Sequence, residues 1–314
     1  MLRPVDGSST LEKAGKLIVL DIDNTVFNWV EYYVSCMDAL ARTVAFIIGS
    51  TPETLFHESR VIFEKEGSIE YPFLVQELPT VMQYYGSDIE RMLREAVEPG
   101  RMAFNAAAKK TLVPYAGVME TMQTIKQRWP QIPVVALTDA PRYVAMWKLN
   151  KLHLLPFFDA VYGLPDPRIP ADIKSQKVKV DPEILMKHLQ KSNFDFAGRI
   201  RVLPDDYEKP GTKGLKTVLM DFEMESHLKD VLWVGDNLRK DVGLGKRLGV
   251  HTGWARYGTA IQDASKKLLL EFSPQNNVAK NVALDPASQD TPQPDFVLET
   301  FADMIPAIEK LLTP

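Results

Sequence analysis

KLIVLDIDNT, residues 16–25, runs a short β-branched apolar segment into two carboxylates, Asp21 and Asp23. A buried parallel strand reads this way when its carboxyl end opens onto a site. In open α/β sheets ligands are held at the carboxyl ends of strands. If the strand continues ideally, Asp21 and Asp23, two residues apart, point the same way. Two unpaired carboxylates at one spot repel, and desolvation adds to the cost. A hard divalent cation resolves both, and oxygen ligands suit Mg²⁺. An ordinary acidic pair in solvent would look the same over these ten residues, so the rest of the chain has to decide.

After this strand the pattern changes. Residues 26–112 read as helical: Tyr32, Cys36, Leu40, Val44 and Ile47 recur at i+3/i+4 steps. Thr51-Pro52-Glu53 reads as an N-cap followed by proline at the first helical position. Ser87, with Glu90 three residues on, reads as a capping box opening a helix to about Lys110. Alternation of helix and strand resumes near residue 113. A helix over 117–128 leads to the strand PVVALT (133–138), and a helix over 142–152 to a strand at 159–163. A helix at about 215–229 precedes DVLWVG (230–235), and a helix over 240–248 precedes VHTGWA (250–255). Repeated βα units imply a doubly wound, Rossmann-like parallel sheet, an α/β fold with an inserted α-helical domain. The expected core is 1–25 with 113–314, and the helical insertion is 26–112. Residues 164–208, proline-rich at first, are expected to hold a helix at 182–192 and a strand at GRIRVL and to form a flap. Residues 273–295 read as a surface linker before a last strand and helix.

The second apolar strand ending in a carboxylate changes the weight of the first. Asp236 ends DVLWVG, and Asp241 follows five residues later where a helix starts. Helix N-terminal acids favour the macrodipole, which accounts for Asp241 but poorly for Asp236. Two buried strands each ending in a carboxylate point to one shared cation site. Thr138 ends a third such strand before Asp139 and a helix beginning near Pro141. A hydroxyl beside free N–H groups can hold a phosphate, although a strand-end threonine is more often a cap. Lys209, Lys213 and Lys216 all precede the helix before Asp236 and supply the basic residue that phosphate needs.

The set resembles the haloacid dehalogenase-like (HAD) superfamily, whose four motifs occur here in order. DIDNT (21–25) matches the nucleophile motif and VVALTD (134–139) the strand ending in Thr or Ser. EKPGTKG (208–214) resembles the Lys-Pro motif, and VGDNLRKD (234–241) matches GDxxxxD. The resemblance implies a phosphatase in which Asp21 is transiently phosphorylated and Asp23 serves as general acid and base. It implies Mg²⁺ on the Asp21 carboxylate, the Asp23 backbone carbonyl and the Asp236 carboxylate. Thr138, Asp139 and Lys209 would lie around the phosphate, with Lys213 as understudy to Lys209, and Asp241 would orient the lysine or the metal's waters. Asp139 stands where the family often has Asn or Ser, so its carboxylate has to be turned away or paired.

Asp23 favours phosphoryl transfer over dehalogenation, because a departing halide needs no proton. A phosphomutase and a non-catalytic binding module remain open alternatives. The insertion matches the place where one branch of the family carries a helical cap, with Trp29, Tyr32, Tyr33, Tyr71 and Arg101 as candidates for meeting substrate. Aromatics at helical spacing more often form a bundle core. A cap implies a small phosphorylated metabolite such as a nucleotide, a sugar phosphate or a phosphoglycolate-like ester.

Composition narrows the classes without choosing among them. The chain has 314 residues, is 45% hydrophobic and carries a formal charge of −4 with no basic arm, which argues against a nucleic-acid partner. Cys36 is the only cysteine, so no intrachain disulfide or thiolate cluster can form. Neither a signal-peptide core nor a membrane-length apolar run is read, so the expectation is a cytoplasmic protein without a membrane partner. The oligomeric state, a homodimer included, is open.

Overall fold

The computed structural model describes residues 15–166, 196–274 and 291–312. Seven parallel strands form its sheet in the order β4-β3-β2-β1-β5-β6-β7. β1 (Leu17–Leu20) is wholly buried and lies between β2 (Val134–Pro141) and β5 (Val231–Gly235). From β1 the chain winds outward through β2, β3 (Ala160–Leu164) and β4 (Arg199–Val202). It then returns to the other side of β1 and winds through β5, β6 (His251–Ala255) and β7 (Phe296–Leu298). The reversal lies between β1 and β5, the place where doubly wound sheets open a crevice. Both faces of the central strands are covered, which is why β1 and β5 read as continuous apolar runs, whereas the edge strand β4 is exposed. Ile18 and Leu20 pack with one layer, Leu17 and Val19 with the other.

Several boundaries differ from those read in the sequence. β2 continues to Pro141, past Thr138, and its register against β3 shifts between Leu137 and Pro141. The helix expected over 215–229 is Lys213–Asp221. Glu223 takes a left-handed φ of 56°, and the Met224 N–H donates back to the Leu219 carbonyl at 2.8 Å. That turn lets Met224 rejoin the core and ends the helix. Within 164–208, β4 is an edge strand of the main sheet rather than part of a flap, because its backbone pairs with β3 over four residues. The expected helix at 182–192 lies outside the described residues, as does most of the expected linker.

Between β1 and β2 the chain is helical. α1 (Trp29–Ile48) is capped by Asn28, whose side chain accepts from the Glu31 N–H, and α2 (Pro52–Glu66) by Thr51 with Pro52 at its first position. The helix that ends at Thr111 packs along α1, with Gly100 against the side chains of Val44 and Leu40. Its start is capped by Asp88, which accepts from the Arg91 N–H, one residue beyond the expected Ser87. The helix Asp263–Phe272, which follows β6 in sequence, also packs on α1 and α2. Phe272 is completely buried there among Tyr33, Phe56 and Phe63, and the Arg60 guanidinium bonds the carbonyls of Leu270 and Glu271. Among the described residues no single helix is long and apolar enough to cross a membrane.

Candidate active site

Strand order places the sequence-read residues together. Asp21 follows β1, Thr138 and Asp139 lie near the end of β2, and Asp236 follows β5, and these are the three central strands. Asp21 extends the ladder one residue, its N–H donating to the Val234 carbonyl at 2.8 Å. All four residues line one cleft of about 810 Å³ over the carboxyl edge of the sheet, as do Asp23, Lys209 and Asp241.

Lys209 is the lysine that reaches this centre. It is 5% exposed, and its Nζ lies 2.8 Å from Asp21 Oδ1 and 2.9 Å from Asp241 Oδ1. Lys213 instead pairs with Asp206 at the surface, and Lys216 is exposed. Burial pulls the Lys209 ammonium down, but Asp21 and Asp241 outweigh it and hold the group well above its ordinary range. Asp241 is almost fully buried. One of its oxygens accepts from Lys209, and the other accepts from the Asn237 N–H at 3.0 Å. Its position depends on Gly235, where a Cβ would fall 2.3 Å from the Asp241 carboxyl carbon.

Asp139 is accounted for by pairing. One carboxylate oxygen accepts the Lys209 backbone N–H at 2.9 Å, and the other lies 3.5 Å from Lys240 Nζ. It therefore splints the Lys209 loop to β2 and carries a counter-charge of its own. The Thr138 hydroxyl is buried and accepts from the Ala140 N–H at 3.0 Å. It does not cap the following helix, Arg142–Lys151, whose Tyr143 N–H instead donates to the Asp166 carboxylate at 2.6 Å.

A divalent cation fits the charges present. Carboxylate oxygens of Asp21, Asp236 and Asp241 lie within 4.8 Å of one another. Three carboxylates against one ammonium leave two negative charges uncompensated in a buried place. Burial, then the neighbouring Asp241 and Asp21, push Asp236 well above the usual carboxylate range, and among the described residues no lysine or arginine pairs with it. Burial likewise raises Asp21 to about 7 against the pull of Lys209. Hard oxygen donors in excess of local positive charge are the setting that Mg²⁺ occupies. Asp241 is taken up by Lys209 and Asn237, which leaves Asp21 and Asp236 as the carboxylates best able to meet a cation.

Asp23 departs from the sequence argument that it shares a counter-ion with Asp21. Its Oδ1 lies 2.9 Å from the Nζ of Lys148, a completely buried residue of the helix Arg142–Lys151, whose Nζ is also 2.6 Å from Glu70 Oε1. Trp29 Nε1 donates to the same Glu70 oxygen at 3.1 Å. Sequence reading missed Lys148 and Glu70. In the structure Lys148 shares a buried, otherwise apolar stripe of its helix with Ala145, Met146 and Leu149, a stripe that Val144 and Trp147 on the other faces hide in the sequence. A charged residue within such a stripe is seldom buried without a partner. Of the aromatic candidates, Trp29 and Tyr71 line the cleft. Tyr32 and Tyr33 are buried in the helical packing, and Arg101 is exposed and paired with Glu98.

A family model described as haloacid dehalogenase-like hydrolase matches residues 16–249. A search of curated proteins finds no match. Among solved structures, the 2-haloacid dehalogenase of Pseudomonas syringae pv. Tomato is 13% identical with a TM-score of 0.50, covering 94% of this chain and 98% of its own. A HAD-type hydrolase of Bacillus subtilis in a magnesium-bound form is 11% identical, TM-score 0.46, with 93% and 98% covered. A predicted phosphoglycolate phosphatase of Haemophilus somnus is 13% identical, TM-score 0.44, with 95% and 99% covered. At such identities the likeness concerns the fold alone.

Proposed function

The chain belongs to the haloacid dehalogenase-like hydrolases, and on that premise we propose that it is a Mg²⁺-dependent phosphomonoesterase working through an aspartyl-phosphate at Asp21. The observation that carries this reading is the pairing of two carboxylates with different surroundings in one cleft. Asp21 is held against Lys209, while Asp23, two residues on, is held against Lys148. A nucleophile and a separate proton donor are what ester hydrolysis needs and halide displacement does not.

In the proposed cycle an Asp21 oxygen attacks phosphorus and the bond from phosphorus to the ester oxygen breaks. Asp23 gives its proton to the departing alcohol. It then takes a proton from the water that cleaves the aspartyl-phosphate, releasing inorganic phosphate and restoring Asp21. Lys209 and the Thr138 hydroxyl would hold the phosphoryl oxygens, where fixed donors stabilise the transition state most. Mg²⁺ held by Asp21, the Asp23 backbone carbonyl and Asp236 would offset charge between nucleophile and phosphate. Asp241 keeps Lys209 in place. The helical insertion, 26–112, serves as a cap: Trp29 and residues 66–71 line the cleft opposite the sheet. Its closure would exclude water and restrict the substrate to a small phosphorylated metabolite.

Hydrolysis of p-nitrophenyl phosphate by wild type and Asp21→Asn, each with Mg²⁺ and with EDTA, tests the proposal. Turnover that requires both Asp21 and the metal is expected. Turnover that survives Asp21→Asn or chelation would overturn it.

A further inference from the structure

Lys148 is the most completely buried cation near the cleft, and neither the family motifs nor the phosphate chemistry requires it. Its neighbours come from three parts of the chain. Asp23 follows β1, Glu70 belongs to the helical insertion, and Lys148 itself lies on the helix after β2. A buried lysine between two carboxylates is weak evidence for stability alone, since apolar residues of similar volume often serve as well or better. What the arrangement does is local. Asp23 lies beyond the end of β1, just before Asn24, which takes a left-handed φ of 54°. Regular strand pairing therefore does not orient its side chain. Among the described residues its carboxylate accepts one hydrogen bond, from Lys148 to Oδ1. Lys148 is fixed from its other side by Glu70, which Trp29 holds in turn.

Resting on the phosphatase reading above, we infer that Lys148 is the positioning residue of the acid–base Asp23, and that Glu70 anchors it. An ammonium donating to Oδ1 disfavours a proton on that oxygen. The proton Asp23 delivers is then carried on Oδ2, and the carboxyl rotor is held for transfer to the leaving oxygen. As the Asp21 oxygen bonds to phosphorus and the ester bond breaks, that proton passes from Oδ2 to the alcohol. Lys148 keeps its own protons throughout. Because Glu70 and Trp29 come from the insertion, the donor is fully oriented only when that segment lies against the core.

The test compares kcat/KM for two esters of nearly the same shape, phenyl phosphate and p-nitrophenyl phosphate. Phenolate needs a proton on departure, whereas nitrophenolate leaves readily without one. Lys148→Met, which keeps the length and removes the charge, is expected to lower kcat/KM for phenyl phosphate about 100-fold. For p-nitrophenyl phosphate the expected loss is less than about 10-fold. The double variant Lys148→Met/Glu70→Gln removes the more buried of the two carboxylates left without their cation and should show the same split, so an unstable single variant does not decide the matter. Equal losses on both esters would make Lys148 merely structural and overturn the inference, as would no loss on either. The phosphatase reading stands or falls separately, on whether wild type cleaves both esters and Asp21→Asn neither.

Discussion

Asp236 concentrates the electrostatics of the centre in one side chain. Half-buried beside Asp21 and Asp241, it is driven toward its neutral form, so its ionised form near neutral pH works against the fold. Asp236→Asn should therefore raise the melting temperature of the metal-free protein, by about 2 °C for each kcal/mol of repulsion relieved. The same change should abolish the stabilisation that Mg²⁺ gives wild type. Thermal melts with and without Mg²⁺ read both effects, and a destabilised variant that Mg²⁺ still protects would count against this placement of the cation. Asp21 adds a pH signature. Its carboxyl is raised to about 7 in the folded state, so the stability it contributes is present in acid and lost as pH rises through about 7. The metal-free protein should melt lower at about pH 8 than at about pH 6, and Mg²⁺ should flatten that difference.

Elements set these side chains in place through close backbone approaches. The turn after β5 allows Asp241 to lie over Gly235, with the Trp233 indole donating to the Asp241 carbonyl at 2.9 Å. Gly235→Ala puts a methyl group where the carboxylate is, so Lys209 would lose a partner. The expected result is a fall of about 100-fold or more in turnover with the fold retained. Circular dichroism beside the activity assay checks it, and an unimpaired variant would contradict the role given to Asp241. The helix Asp263–Phe272 couples the two halves of the chain differently. Phe272 fills a space among aromatics of α1 and α2, and Phe272→Ala should cost about 3–5 kcal/mol in a denaturant titration. From sequence no element is read where that helix lies, and even an apolar stripe there says that a helix packs and not on what.

For the whole molecule, what was legible depended on whether the signal was local. β1, β2 and β5 announce themselves as apolar runs ending in a carboxylate or a hydroxyl, and the alternation around them implies the doubly wound sheet. Asp21, Asp236 and Thr138 can be read as neighbours because parallel winding brings the ends of central strands together, and the fold gathers them in one cleft. Lys209 is preferred over Lys213 in sequence on the proline that follows it, and the fold separates the two, burying Lys209 against Asp21 and leaving Lys213 at the surface with Asp206. Lys148 and Glu70 escaped because their meaning lies in contacts between segments about 80 residues apart. The account as a whole turns on a covalent step at one aspartate. Wild-type protein turning over phenyl phosphate with Mg²⁺, quenched in acid and mapped by peptide mass spectrometry, tests that most directly. A phosphoryl group on the peptide carrying Asp21, absent from Asp21→Asn, is the predicted result. Active enzyme whose label sits on another residue, or that hydrolyses substrate in a single turnover with no phosphorylated peptide, would contradict it.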